Sequence, residues 1–333
     1  MPRIARTAFV TGATGFVGRA LVEKLLAGDW SVTALVRATS VVPSSWGNGV
    51  ALVYGDVRDR SACEKGAAGA SCVFHLAAAV HDVAGGDDPR RQQSTTLEGT
   101  RTVLDAVATA GVPSLVFVSS LAVYGESGVV RSELDDCRPS TEYGRAKLAA
   151  EQLVLSTSPS HLHWTILRPA MIYGIGAPGN LSFMTRLIRA HMLPALPRHM
   201  GRRSLVHVAD VARAALLAAG DVRSSRATFI VTDGQPMSLR EIQDEIRECL
   251  GRRPQRYAVP SLTLSVGARL ARGLGRLGSK RWKSISNWIE RMLLPAEFDS
   301  TRIERELGFK PTTSLRRELP AIIAAFSNSS GAA

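Results

Sequence analysis

Cysteine is scarce in this sequence, since the 333 residues include only Cys63, Cys72, Cys137 and Cys249. No two of them form a C-x-x-C motif or share another spacing that is typical of metal ligands. This pattern argues against a disulfide framework and against a structural zinc site. It favours a reducing, cytoplasmic location, and we expect no metal.

Aromatic residues and long apolar runs are also few. Phe, Trp and Tyr make up 6% of the chain, without the aromatic-basic pattern of an RNA-binding sheet. No uninterrupted apolar run approaches the length that a bilayer requires. The first apolar strand begins within a few residues of Met1, which leaves no room for a signal peptide. We therefore expect neither a nucleic-acid partner nor a membrane-spanning helix.

Acidic residues are outnumbered, with 29 Asp and Glu against 41 Lys and Arg and a net charge of +12. Such a charge attracts anions, but it does not distinguish a sugar nucleotide from an anionic membrane or a nucleic acid. Hydrophobic residues make up 45% of the chain, as in globular proteins. The length suits one large α/β domain, or a large and a small one.

A glycine-rich turn, residues 11–18, follows the apolar run 8–10 and leads into apolar positions at helical spacing. Glycine lets the backbone turn sharply and lets a diphosphate approach, and the N–H groups of the new helix bind that anion. In a βαβ context this order predicts a dinucleotide-binding turn. The predicted cofactor contacts here are Gly12, Gly15, Phe16, Val17 and Gly18.

The second predicted strand, 31–36, ends at Arg37. An acidic residue at this place would accept hydrogen bonds from the adenosine ribose and favour NAD(H), whereas an arginine complements the 2′-phosphate of NADP(H). No Asp or Glu lies between Asp29 and Asp56. The sequence therefore favours NADP(H), with NAD(H) as the alternative if Arg37 only stacks on adenine or faces solvent.

Two further strands supply more cofactor candidates. The strand at 50–54 leads to Asp56, which is placed to meet the adenine amino group, and the strand at 72–75 ends in small residues that leave space for a ribose and pyrophosphate. His75 and His207 lie in apolar strands, which predicts structural rather than catalytic histidines. The cofactor candidates in these turns are Asp56, Val57, Leu76, Ala77 and Ala78.

The repeated strand–helix units predict an α/β fold with a doubly wound parallel sheet. A strand at 115–118 delivers Ser120 to the edge where such sheets carry their chemistry. Tyr143 and Lys147 are four residues apart on a predicted helix and share one face. An ammonium beside a phenol lowers the phenol's pKa from about 10. We therefore expect Tyr143 to exchange a proton near neutral pH while Ser120 orients the same substrate oxygen.

With these motifs the chain resembles the extended short-chain dehydrogenase/reductase family of NAD(P)-dependent nucleotide-sugar epimerases, dehydratases and reductases, over nearly its whole length. The resemblance implies a Rossmann-type sheet with a smaller C-terminal substrate lobe. It implies that Ser120, Tyr143 and Lys147 form a catalytic trio, with Tyr143 and Lys147 also at the cofactor. The matching stretches are 11–18, 55–57, 75–78, 119–120, 123–125, 143–147, 167–169, 203–208 and 305–311.

The same resemblance implies further contacts and partners. Pro169 would lie near the nicotinamide, and Asn180 and Arg203 would contact the diphosphate of a nucleotide-sugar substrate, which Ser120 and Tyr143 also touch. A homodimer would form through the helices near 100–110 and 143–157. The expected dinucleotide-binding domain is 1–169 plus about 205–231. The expected substrate lobe is about 170–204 plus 232–326, and 327–333 is a flexible tail.

Departures from the family pattern narrow the activity. Leu121 and Ala122 stand where the 4,6-dehydratases carry an Asp-Glu pair, so dehydration is not expected. Thr96 and Met171 stand where many relatives have Asn. The stretch 229–234 and the long C-terminal insert are similar to bacterial reductases of UDP-4-keto-6-deoxy sugars, and this resemblance implies such a substrate. Arg37 favours a dissociable NADPH, and hence this reductase over a UDP-sugar 4-epimerase. A ketone or steroid-type reductase and a non-catalytic NADP(H)-sensing module are further alternatives.

The stretch 261–294 combines arginines, lysines and tryptophans with apolar residues at helical spacing. The favoured interpretation is a helix packed on the substrate lobe with its arginines in solvent. The alternative is a basic amphipathic helix that lies on an anionic membrane, which would place the protein at the inner membrane surface. Glycines within the stretch weaken the helix prediction itself.

Overall fold

A computed structural model describes residues 6–78, 89–125, 128–197, 201–253, 255, 257–260 and 295–329, without the side chains of 89–93, 180 and 327–329. The stretch 261–294, considered above for membrane binding, lies outside the described residues. Within the described chain, no helix has the length and apolarity needed to cross a bilayer.

The described residues form nine strands and nine helices, apart from short 3₁₀ turns. The strands are β1 (Thr7–Thr11), β2 (Ser31–Val36), β3 (Val50–Tyr54), β4 (Cys72–His75), β5 (Ser114–Val118), β6 (His163–Pro169), β7 (Met171–Tyr173), β8 (Leu205–His207) and β9 (Ala227–Val231). The helices are α1 (Phe16–Ala27), α2 (Arg60–Ala67), α3 (Pro89–Ala110), α4 (Glu142–Thr157), α5 (Asn180–Arg189), α6 (Val208–Gly220), α7 (Leu239–Cys249), α8 (Thr301–Leu307) and α9 (Leu315–Ser329).

Seven strands make one parallel sheet in the order β3-β2-β1-β4-β5-β6-β9. β2 and β3 are added on one side of β1, and β4, β5, β6 and β9 are added on its other side. The strand order therefore reverses between β1 and β4, and a crevice opens there at the carboxyl ends of the strands. The predicted doubly wound α/β fold is confirmed.

The side chains of the central strands alternate between two hydrophobic cores, one on each face of the sheet. Val10, Phe74 and Val116 point to the face covered by α1 and α6. Their neighbours Phe9 and Phe117 point to the opposite face, with α2, α3 and α4. Both faces are covered, so the strands are apolar throughout, as is typical of a parallel sheet.

A third core lies beyond the carboxyl edge of the sheet. There β7 pairs in parallel with β8, from Met171 opposite Leu205 to Tyr173 opposite His207. This small sheet packs with α5, α7 and α9. Buried residues of this core include Leu181, Met184, Ile188, Leu239, Ile242, Ile246, Leu315 and Leu319. Because β7 begins directly after β6, this second body is joined to the sheet at the carboxyl end of β6.

The outer side of β9 is covered by side chains from elsewhere in the chain. The Ile230 main-chain N–H donates to Oε1 of Glu133 at 2.7 Å, and Arg302 donates to the Thr228 carbonyl at 3.3 Å. The main-chain groups of residues 228 and 230 face away from β6, whereas the carbonyl of residue 231 faces β6 and accepts from the Ala170 N–H. Glu133 and Arg302 therefore bond to main-chain groups that have no neighbouring strand in the described part of the chain.

Candidate active site

The glycine turn between β1 and α1 closes against the segment that follows β4. Gly12 has φ +71°, and a Cβ there would lie 2.7 Å from the Ala77 nitrogen. A Cβ on Gly18 would lie 2.1 Å from the Gly12 carbonyl oxygen. Gly15 precedes α1, and no side chain caps the helix start. The first N–H groups of α1 are therefore available to an anion, which fits the diphosphate of a dinucleotide.

Two buried hydroxyl groups near this edge have no hydrogen-bond partner among the described residues. These are Ser119 Oγ, just beyond β5, and Thr96 Oγ1 on α3, in side chains that are 3% and 2% exposed. Buried polar atoms are seldom left unsatisfied in folded proteins. Polar groups of a bound dinucleotide would satisfy them, so the residues present fit the cofactor that the glycine turn predicts.

His75 lies beneath this turn, and both of its ring nitrogens are used. Thr100 donates to the Thr96 carbonyl at 2.7 Å, so it accepts from His75 Nε2 at 3.0 Å. Nδ1 of His75 must then accept from the Thr11 hydroxyl at 2.7 Å, and that oxygen accepts from the Ala77 N–H at 3.3 Å. Burial, with the Lys147 charge, lowers the pKa of His75 to about 3. His75 is therefore a buried structural histidine, as the apolar strand predicted, and the low pKa keeps it neutral.

The edge of the crevice at β2 and β3 carries two arginines, Arg37 and Arg58. Arg37 is exposed at the end of β2, and Asp56 follows β3 in the adjacent turn. Arg58 Nε donates to the Asp56 carboxylate at 2.7 Å, and this hydrogen bond lowers the pKa of Asp56, with Arg37 adding to the effect. The sequence analysis did not single out Arg58, because the polar turn that contains it has no helical or strand periodicity to show which side chains meet. Val57 packs its side chain against Gly99 of α3.

Ser120 and Tyr143 come together at the carboxyl edge of β5. Ser120 begins the turn 121–124, where its Oγ accepts from the Ala122 N–H at 3.2 Å. Tyr143 lies in the first turn of α4, whose start Thr141 caps by accepting from the Gly144 N–H at 3.0 Å. The Ser120 hydroxyl lies close enough to the Tyr143 oxygen to lower the pKa of the phenol. The two predicted hydroxyl groups are therefore adjacent.

Close backbone contact maintains this adjacency. A Cβ on Gly144 would lie 2.3 Å from the Ala122 carbonyl oxygen, so only glycine lets α4 pack so near the turn 121–124. Leu121 is buried in the core, and Ala122 has no polar side chain. The two places after Ser120 thus offer no carboxylate for an elimination step.

Lys147 is buried one helical turn after Tyr143. Its Nζ donates to the Val118 carbonyl at 2.7 Å and lies 4.8 Å from the centre of the Phe117 ring. The prediction that Lys147 lowers the pKa of Tyr143 is wrong for this structure. Burial raises the pKa of Tyr143, and the nearby Ser120 hydroxyl offsets this only in part. Burial also lowers the pKa of Lys147 to about 8.

The comparisons with known proteins agree with this geometry. The family model described as the NAD dependent epimerase/dehydratase family matches residues 8–231, which is more than half of the chain. The chain belongs to the NAD dependent epimerase/dehydratase family. Members of this family are enzymes, and the chain is accordingly an enzyme with a Rossmann-like fold.

Individual relatives in this family differ in what they act on. The chain is 29% identical over 94% of its length, and 95% of the relative's, to a 4-hydroxy-2-methyl-3-oxo-4-farnesyl-3,4-dihydroquinoline-1-oxide ketoreductase from Stigmatella aurantiaca. It is 26% identical over 97% of its length, and 96% of the relative's, to a UDP-glucose 4-epimerase from Vibrio cholerae. The structure of MoeE5 with UDP-glucuronic acid and NAD is similar too, with a TM-score of 0.76, 26% identity, and 97% and 99% of the two chains covered.

The remaining predicted site residues of this epimerase/dehydratase enzyme lie where β6 meets the small sheet. Pro169 is buried at the end of β6. Arg203 precedes β8 and exchanges main-chain hydrogen bonds with Met237 at 2.8 and 3.0 Å. Asn180 begins α5, but its side chain lies outside the described residues. His207 packs against Tyr173 with ring centres 5.3 Å apart and ring planes tilted by 50°.

The sequence analysis did not link three residues that the structure brings together. Arg168 on β6 forms a buried ion pair with Glu151 on α4 and also contacts Tyr124, the last residue of the turn that follows Ser120. These residues are 17 and 44 positions from Arg168 in sequence. Because they come from three separate elements, no local spacing could have linked them.

Proposed function

We propose that this enzyme uses NADPH to reduce the 4-keto group of a nucleotide-linked sugar, as a UDP-4-keto-6-deoxy-sugar reductase. The observation that carries the proposal is the adjacent Ser120 and Tyr143 pair, in which burial raises the pKa of the phenol. A phenol that is protonated at neutral pH can give a proton, as reduction of a ketone requires. The exposed Arg37 near Asp56 supports NADP(H) as the cofactor.

The chain's residues would divide the reaction between them. When bound, NADPH would supply the hydride that the carbonyl carbon accepts. Ser120 donates a hydrogen bond to the carbonyl oxygen and fixes its direction. Tyr143 gives its phenolic proton to the same oxygen, so the carbonyl becomes an alcohol, and the phenolate regains a proton from solvent. The charged ammonium of Lys147 would donate hydrogen bonds to the nicotinamide ribose and so hold it in place.

The remaining cofactor and substrate contacts are proposed from the family resemblance. The Gly12–Gly18 turn and the segment 76–78 would hold the diphosphate and ribose, and Pro169 the nicotinamide. Arg203 and Asn180 would contact the diphosphate of the substrate. MoeE5, whose structure contains UDP-glucuronic acid, supports a substrate of this class. We further propose that residues 1–169 and about 205–231 bind the cofactor, that the rest binds the sugar, and that α3 and α4 form a homodimer.

The similarity to a UDP-glucose 4-epimerase over nearly the whole chain favours a second function, 4-epimerisation with a retained NAD. The two functions make different demands on the cofactor. A reductase consumes one NADPH for each sugar, whereas an epimerase returns the hydride to the same sugar and needs no added reductant. A ketoreductase for a ring ketone, as the Stigmatella relative's name describes, would also consume NADPH but without a nucleotide.

The purified protein should therefore oxidise NADPH when given a UDP-4-keto-6-deoxy sugar, followed by absorbance at 340 nm. With UDP-glucose or UDP-N-acetylglucosamine and no reductant, we expect no C4 epimer by NMR. Epimer formation in that second assay would contradict the reductase and support the epimerase. NADPH oxidation with simple ring ketones but not with the keto sugar would favour the third function.

Replacing Arg37 with Glu should weaken NADPH binding about 10- to 100-fold, because a charge-assisted contact to the 2′-phosphate is lost and a repulsive charge is added. Binding of NADH, which lacks that phosphate, should change little. Titration of nucleotide fluorescence measures both constants. Arg317→Glu makes the same charge change at an exposed site on α9 and should leave both unaltered. Equal losses for the two nucleotides would show that Arg37 does not read the phosphate.

A further inference from the structure

A buried ion pair joins β6, α4 and the turn that follows Ser120. Arg168 donates to the two carboxylate oxygens of Glu151 at 3.0 and 2.6 Å. Its third nitrogen donates to the Tyr124 hydroxyl at 2.5 Å, and the guanidinium carbon lies 4.8 Å from the centre of the Tyr124 ring. The side chains of Arg168 and Glu151 are 9% and 1% exposed. All three nitrogens of the guanidinium and both oxygens of the carboxylate are thus hydrogen-bonded within the protein.

Stability alone does not explain this pair. Two buried charges lose their hydration, and apolar side chains of similar volume often stabilise the same space equally well or better. The pair does, however, connect the elements that carry Ser120, Tyr143 and Lys147. Tyr124 closes the turn that Ser120 begins, and Arg168 directly follows Leu167, whose carbonyl accepts the Ser119 N–H at 2.7 Å.

Glu151 is one helical turn beyond Lys147 on the same face of α4, and its charge favours the lysine ammonium. The other groups around Lys147 provide no second carboxylate within the described residues. From β5 come the Val118 carbonyl and the Phe117 ring, from β4 the neutral His75, and from α4 itself the protonated Tyr143. The charged side chains on the neighbouring α3, where side chains are described, are exposed: Glu98, Arg101 and Asp105.

We propose that Glu151, fixed by Arg168 and Tyr124, is a positioning residue that keeps the buried Lys147 ammonium charged and directed at the catalytic edge. The proposal rests on the function proposed above, since that function needs a charged Lys147. Burial has already lowered the pKa of Lys147 to about 8. A small further fall in this pKa would therefore leave Lys147 as a neutral amine at physiological pH. Glu151 therefore acts through Lys147 and does not touch the substrate itself.

The charge of Lys147 can be measured without cofactor or substrate. The chain has only six lysines, so protein labelled with [ε-¹³C]lysine gives few signals, and Lys147→Arg assigns the one of interest. In Glu151→Gln the titration midpoint of Lys147 should fall by on the order of one pH unit, because an opposite charge nearby is lost. An unchanged midpoint in a folded variant would overturn the proposal.

A second variant guards against loss of folding. Glu151→Gln leaves the Arg168 cation buried without its partner. The double variant Glu151→Leu with Arg168→Met removes both charges and fills the same space with apolar side chains of similar volume. This double variant should melt near the wild-type temperature and show a Lys147 midpoint between those of the wild type and Glu151→Gln, because a like charge is removed together with the opposite one. A Lys147 midpoint as low as that of Glu151→Gln, or lower, would contradict this electrostatic link. Asp244→Asn, which removes the carboxylate of the Arg240 pair on α7, is the control and should not move Lys147.

Turnover distinguishes this inference from the proposed function. In Glu151→Gln, kcat should fall at pH values above the new Lys147 midpoint and approach the wild-type value below it, with KM for the sugar little changed. A kcat loss that is equal at all pH values would contradict the positioning role. If the wild type turns over no nucleotide sugar at all, the proposed function fails, but the lysine titration still tests the link between Glu151 and Lys147.

Discussion

Tyr143→Phe should lower kcat by about 10²- to 10⁴-fold, the range expected when a positioned proton donor is removed. The phenol of Tyr143 is the group that can give a proton to the substrate, because the two residues after Ser120 are Leu121 and Ala122, which have no acidic side chain. Phe keeps the ring and therefore the packing at the start of α4. Initial rates of NADPH oxidation with the keto sugar give kcat directly.

Cofactor affinity is the internal control for this variant. Nothing in the glycine turn or at Arg37 is altered, so no cofactor contact worth about 1 kcal/mol or more is lost. The dissociation constant for NADPH should therefore stay within about twofold of the wild-type value. Ser120→Ala should show a smaller fall in kcat, since it removes orientation but leaves the donor. A Tyr143→Phe enzyme with wild-type kcat would mean that another residue protonates the substrate.

Gly18→Ala should abolish measurable dinucleotide binding. The added methyl would lie 2.1 Å from the Gly12 oxygen and 2.6 Å from the Ala13 oxygen, both main-chain atoms that cannot swing aside. Either α1 or the glycine turn must therefore move, which misaligns the N–H groups that would receive the diphosphate. We expect a destabilisation of about 1–3 kcal/mol, as for other overpacked sites, and at least a 100-fold weaker NADPH complex.

Gly220→Ala is the matched control for that substitution. Gly220 ends α6, and a Cβ there would have no neighbour within 4 Å. Alanine also favours helix over glycine by about 1 kcal/mol, so this variant should be as stable as wild type or slightly more so. Melting temperatures and isothermal titration with NADPH compare the two. If Gly18→Ala binds as tightly as Gly220→Ala, the cofactor does not rest on the glycine turn.

Much of the fold was predictable because its signals are local. The Gly12–Gly18 turn between an apolar strand and an amphipathic helix defines one βαβ unit, and the later apolar runs repeat it. The sheet order then follows from the connection rules of such units. The burial of His75 could also be predicted, because a histidine within an apolar strand has little access to solvent.

The electrostatics of the site could not be predicted in the same way. The four-residue spacing places Tyr143 and Lys147 on one face, but it does not say where the lysine nitrogen points or how deeply the phenol is buried. Both depend on β5, which provides the Val118 carbonyl and the Phe117 ring. The Arg168 and Glu151 pair depends likewise on how β6 packs against α4. The roles of the trio, NADP(H) preference, the lobe boundaries and the homodimer stay predictions.

The covered side of β9 has a consequence for how copies of this protein meet. An outermost strand with free main-chain groups can recruit a strand from another molecule, and this is a common route to fibrous aggregates. Here one carboxylate, Glu133, and one guanidinium, Arg302, already occupy the groups at Ile230 and Thr228. Two main-chain groups on that edge of the sheet are therefore already bonded within the molecule, and intermolecular strand exchange would first have to displace two side chains.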